Sequence, residues 1–137
     1  MRDKKGECAM IVKSLEEIIG TEDETFSENW SSRRFILKKD GVGFSMNDTI
    51  IKAGTDNFFW YKNHIEAVYC IEGEGEIEKV ETGDVFQIKP GTMYLLNDND
   101  KHRLRARTQM RMVCVFNPPL VGTETHNEEG YYPLLVE

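Results

Sequence analysis

No apolar run in this 137-residue chain approaches the roughly 20 residues that a membrane-spanning helix needs. Its opening stretch, Met1-Arg-Asp-Lys-Lys-Gly-Glu-Cys-Ala, lacks the apolar centre of a secretory signal. Both absences lead to the expectation of a cytoplasmic protein with no membrane partner. Positive charge is also in deficit: 17 Lys+Arg against 24 Asp+Glu leave a formal net charge of −7. Coulomb repulsion then opposes general binding to nucleic-acid phosphates or anionic lipid, which leaves a small molecule or a protein as the expected partner. Cysteine is scarce and odd in number, Cys8, Cys70 and Cys114, with no C-x-x-C pair. A disulfide framework is excluded on count and a Cys/His zinc site on spacing. Cys70 and Cys114 each fall in an apolar strand pattern and read as small core hydrophobes.

What is present describes one globular domain, since 39% hydrophobic and 30% charged residues are ordinary for a folded chain of this length. Residues 1–9 are polar and aperiodic and read as a flexible extension, with a single domain expected over 10–137. Ser14-Leu-Glu-Glu17 has the form of a capping box and Gly20 that of a C-terminal stop, so one short helix is predicted between them. From Trp30 onward, short β-branched and aromatic runs alternate with Gly and Asx turns. Eight to ten strands with no interspersed helices imply an antiparallel sandwich or barrel. Glu72-Gly-Glu-Gly75 reads as a hairpin turn, Asn97-Asp-Asn-Asp100 as another polar turn, and Pro118-Pro119 as the end of the last strand.

The stretch Glu66-Ala-Val-Tyr-Cys-Ile-Glu-Gly-Glu-Gly75, followed by Gly83-Asp84 and by Pro90-Gly91-Thr-Met-Tyr94, resembles the paired motifs of the cupin superfamily. The resemblance implies an all-β, jelly-roll-like double-stranded β-helix barrel. Cupins usually bind one metal with two histidines and a glutamate from the first motif and a histidine from the second. Here Glu66 holds the glutamate place, but Trp60 and Lys62 stand where the first two histidines belong, and Tyr94 stands in place of the last. A replacement is at hand. With Asn97 to Asn99 as the tip of a hairpin, Tyr94 and His102 are equidistant from residue 98, lie opposite each other, and point to one sheet face. Carboxylate, phenolate and imidazole form a mixed oxygen and nitrogen set suited to a borderline cation such as Fe(II). Each residue alone also has an ordinary structural explanation: a solvated carboxylate, a core tyrosine, a surface histidine.

A longer resemblance, from Met10 to about Leu135, is to the ectoine synthases, a cupin enzyme family. Its most specific stretches are Met10-Ile-Val-Lys-Ser-Leu-Glu-Glu-Ile-Ile-Gly-Thr21, Lys62 to Gly75, and Met112-Val-Cys-Val-Phe-Asn-Pro-Pro-Leu120. That family closes N-γ-acetyl-L-2,4-diaminobutyrate into the cyclic amidine ectoine, a compatible solute, with loss of water. The resemblance implies iron held by Glu66, Tyr94 and His102. It implies substrate contacts from Trp30, Arg34, Asn47, Thr49, Cys114 and Phe116, with catalytic parts for Tyr61, Glu124 and His126. The spacing of two within Asn47/Thr49 and within Cys114/Phe116 puts each pair on one strand face. Glu124 and His126 fall on a C-terminal segment, about 118–137, expected to fold over the barrel mouth as a lid. His64 is left out of the metal set. A homodimer is expected from the family habit and from the need to protect strand edges. A cupin oxygenase or isomerase and a non-catalytic ligand-binding cupin remain the alternatives at this point, because fold alone does not choose among them.

Overall fold

The computed structural model describes residues 10–121. The N-terminal extension, Glu124, His126 and most of the expected lid lie outside the described residues.

The chain opens with one helical turn, α1 (Leu15–Ile18), and continues as ten strands. These are β1 (Glu24–Phe26), β2 (Trp30–Ile36), β3 (Ser45–Ile51), β4 (Asp56–Trp60), β5 (Ile65–Glu72), β6 (Gly75–Lys79), β7 (Asp84–Ile88), β8 (Met93–Leu96), β9 (Lys101–Ala106) and β10 (Met110–Asn117). Gly20 stops the helix with a positive φ, as expected of a terminal glycine. The capping box does not form: Ser14 makes no side-chain cap bond, and the turn closes through the Glu17 amide on the Ser14 carbonyl. A four-residue helix has too few internal bonds to persist alone. It is anchored by Ile18, which is buried.

The strands form two antiparallel sheets, ordered β1-β2-β3-β10-β5-β8 and β4-β9-β6-β7, which face each other as a barrel of the cupin kind. Period-two alternation decides which side chains enter it. Along β10, Met110, Met112, Cys114 and Phe116 are buried while the residues between them are not; along β9 the same holds for His102, Leu104 and Ala106. Among the described residues no helix is long and apolar enough to cross a membrane.

Two turns differ from their expected form. Glu72-Gly-Glu-Gly75 is a crossover, because β5 belongs to the first sheet and β6 to the second. The chain passes close against the β9–β10 connection here: a Cβ on Gly73 would lie 2.1 Å from the Gln109 carbonyl oxygen, and one on Gly75 would lie 2.2 Å from that of Arg105. Residues 97–100 likewise carry the chain from β8, at the edge of the first sheet, to β9, inside the second. Tyr94 therefore pairs with Val68, and His102 with Phe59 and Lys79. The two are not ladder partners, and they face each other across the interior. A true hairpin joins β6 to β7, with Lys79 opposite Asp84 and the Thr82 hydroxyl on the Asp84 carboxylate at 2.8 Å.

Candidate active site

The inner faces of β2, β3, β5 and β10 and, opposite them, β4 and β9 enclose a pocket of about 390 Å³, open solvent at its mouth included. Register explains its wall. Arg34 lies opposite Asn47 and Ser32 opposite Thr49 across β2–β3; Asn47 lies opposite Cys114 and Thr49 opposite Met112 across β3–β10; Phe116 lies opposite Glu66 across β10–β5. These rungs bring Trp30, Asn47, Thr49, Cys114 and Phe116 onto one lining, with Tyr61 and Glu66 beside them. The Cys114 thiol reaches the Thr49 hydroxyl at 3.7 Å. Arg34 is wholly buried next to this wall without being part of the lining. Tyr61 stacks on Phe59 at 6.0 Å between ring centroids and meets the edge of Phe116 at 5.3 Å.

Tyr94 also lines this pocket, and its ring faces that of His102, which lies outside the lining, at 6.4 Å between centroids. Tyr94 is half-buried as a residue with its phenol group deep in the interior. Tyr94 and His102 also border a second, open hollow of about 660 Å³, outside solvent included, with Lys79, Phe86 and Asp100. His64 is buried with its ring edge-on to Phe116 at 5.8 Å. Trp60 stands on the outer face, held between the Lys62 and Lys101 ammonium groups at 4.6 and 4.4 Å from its ring centroid. The indole is thus tied up in cation–π contacts at a place where cupins commonly carry a metal-binding histidine.

The electrostatics around Glu66, Tyr94 and His102 are those of a site short of positive charge. Burial pushes the Glu66 carboxyl up to about 8, and only a hydrogen bond from the Cys114 thiol opposes this. Burial, then the neighbouring Glu66 charge, raises the Tyr94 phenol well above its ordinary value. Burial presses His102 down to about 4, so its imidazole is neutral. Its Nδ1 lies 3.1 Å from the Asp100 carbonyl oxygen. With the proton on Nδ1 donated to that carbonyl, Nε2 is left as a bare lone pair, and Nε2 is buried without a hydrogen-bond partner among the described residues. Among the described residues no three His, Cys, Asp or Glu side chains gather to hold a metal. The third donor here is a phenol, and a neutral imidazole with two oxygen donors fits a borderline divalent cation.

Ser32, overlooked in the sequence, also faces the pocket, and among the described residues its buried hydroxyl has no partner, nor has the Asn47 side-chain carbonyl oxygen. The signal was available: Ser32 lies midway between Trp30 and Arg34, on the same strand face. Buried polar atoms left unpaired by the protein are the usual sign of a ligand or water to come.

A model of the family described as "Ectoine synthase" matches residues 10–136. The chain is 81% identical over 128 residues to a protein of Virgibacillus pantothenticus called L-ectoine synthase, covering 93% of this chain and 100% of that one. It is 78% identical, with the same two coverages, to the protein of that name from Oceanobacillus iheyensis. The crystal structure of ectoine synthase from P. lautus is similar with a TM-score of 0.84 and 65% identity, covering 93% of this chain and 92% of that one.

Proposed function

The chain belongs to the ectoine synthase family, hydro-lyases that close N-γ-acetyl-L-2,4-diaminobutyrate into ectoine with loss of water, and we propose that the barrel pocket is where it does so. The observation that carries this placement is Tyr94, which lines the polar pocket together with Glu66 and whose ring faces that of His102 at 6.4 Å between centroids. These three would hold Fe(II), which supplies a Lewis acid for the substrate's acyl carbonyl.

The rest of the chemistry falls to the chain. Ring closure needs the substrate's α-amine, neutral, folded back onto its own acetamide. Arg34, buried beside the wall, supplies the positive charge for the α-carboxylate. The Asn47 carbonyl and the Ser32 and Thr49 hydroxyls take up substrate N–H and C=O groups. Trp30, Cys114 and Phe116 shape the wall, so that the bent conformer is the one that fits. Tyr61 hydrogen-bonds the reacting amide. Glu124 and His126 move the protons, brought to the mouth by the C-terminal segment as a lid. Exclusion of bulk water favours a product formed by dehydration. The chain works in the cytoplasm as a homodimer, which protects the edge strands β1 and β8.

Incubating iron-loaded protein with N-γ-acetyl-diaminobutyrate and following ectoine by chromatography tests the reading. Glu66→Ala, Tyr94→Ala and His102→Ala are each expected to abolish iron retention and cyclisation and to leave the β-type circular dichroism intact. Normal turnover in any of the three, once stripped of metal, would remove that residue from the site. Failure of the iron-loaded parent to form ectoine would favour an oxygenase or a binding protein.

A further inference from the structure

On the far side of the substrate wall, three charged side chains of adjacent strands meet. Asp48 points outward from β3 between Asn47 and Thr49. Arg33 points outward from β2 between Ser32 and Arg34, and Arg111 from β10 between Met110 and Met112. Arg33 donates from Nη2 to Asp48 Oδ1 at 2.6 Å and from Nε to the Asp48 backbone carbonyl at 3.0 Å. Arg111 approaches from the other side, donating from Nη2 to Oδ2 at 2.7 Å and from Nε to both carboxylate oxygens at 3.0 and 3.1 Å. Arg111 also lies 3.8 Å from Glu72 on β5.

This is not an ordinary surface ion pair, for which the net gain is close to nothing. Asp48 is 7% and Arg33 8% exposed. Burial alone would push the Asp48 carboxyl up, yet the hydrogen bonds from Arg111 and Arg33, with their charges, hold it below the usual carboxylate range. A guanidinium fork set against a carboxylate constrains direction as well as distance. Two such constraints on one carboxylate fix how far β2 and β10 can slide along β3. The rungs so fixed are those that place Arg34 opposite Asn47, Ser32 opposite Thr49, and Asn47 opposite Cys114.

The geometry points to Asp48 as a positioning residue that, clamped by Arg33 and Arg111, sets the register of the substrate-binding wall from outside the barrel. The inference rests on the reading of that wall given above. The clamp joins β2, β3 and β10 and reaches β5 only at Glu72, the opposite end of that strand from Glu66, whereas Tyr94 and His102 sit on β8 and β9. Its loss therefore weakens substrate binding and leaves the metal in place, the pattern of a raised KM at constant kcat.

Three variants test this in iron-loaded protein: Asp48→Asn, which keeps the shape and removes the charge; Arg111→Gln, which loosens one side of the clamp and leaves Arg33 in place; and Ile88→Val, which removes a buried methylene from β7, away from the wall. Asp48→Asn is expected to raise KM about 10-fold and to weaken calorimetric binding of ectoine in proportion, with kcat and iron content within about twofold of the parent. Arg111→Gln shifts KM the same way by about 3-fold, and it decides the matter if Asp48→Asn does not fold. An unchanged KM in either folded clamp variant, or an equal rise in Ile88→Val, overturns the inference. A parent protein that forms no ectoine instead overturns the underlying reading of the pocket, and the parent assay separates the two failures.

Discussion

A carboxyl group in a dry interior is protonated, paired or ligated, and the proposed metal site would move Glu66 from the first of these states to the last. In protein stripped by a chelator, its folded value near 8 exceeds its ordinary 4.5. Between those values the native state holds a proton that the unfolded chain has released, so stability falls as pH rises. His102 works in the opposite sense: at about 4 folded against 6.5 ordinarily, the native state lacks a proton that the unfolded chain holds, so stability rises with pH over that range. The two slopes oppose each other up to about pH 6.5, and from there to about pH 8 Glu66 acts alone. Urea melts of the stripped protein should lose about 1 kcal/mol per pH unit across that upper window. Glu66→Gln should flatten the loss. A flat profile in the stripped parent would mean that Glu66 already has a partner in solution.

At the scale of the element, strands and their buried faces were legible because alternation is a local signal: Asn47 with Thr49, and Cys114 with Phe116, do share inward faces. Which ladder a turn joins was not legible. A turn rich in Gly or in Asn and Asp suits a hairpin and a crossover equally, and the choice depends on packing against residues far along the chain. Glu72-Gly-Glu-Gly75 and residues 97–100 were both misread for this reason. Tyr94 and His102 do come together, by facing across the barrel and not by pairing along one sheet. Three alanine substitutions separate backbone cost from packing cost. Gly41, with a φ of +73° and nothing within 4 Å of a new Cβ, should lose about 1 kcal/mol on changing to Ala. Gly75→Ala, which drives a Cβ into the Arg105 carbonyl and the Met110 sulfur, should lose about 1–3 kcal/mol. Gly73→Ala combines both penalties and should lose about 2–4 kcal/mol. Denaturant unfolding orders the three. A Gly73 variant no worse than the Gly41 variant would show that the crossover has room to spare.

At the scale of the whole molecule, the acidic surplus is partly absorbed in structure. On the outer face of the second sheet, Arg105 is shared among Asp56, Glu76 and Glu78. The C-terminal segment supplies a test of its own. Removing residues 121–137 should abolish ectoine formation while the protein, assayed for bound iron, retains most of its metal. Full activity in the truncated protein would show Glu124 and His126 to be bystanders.

The place of β10 in the first sheet, between β3 and β5, bears on how the chain is made. A ribosome delivers β3 and β5 well before the strand that joins them, so each waits with an unpaired edge exposed. Sheet closure is then a single late event of long sequence separation, which belongs to the slow class of folding steps. Cys114 and Phe116 arrive with β10, so the pocket that they line comes into being only with that closure. Synthesis interrupted before residue 110 releases chains that present two open sheet edges and no pocket, material for chaperones and proteases.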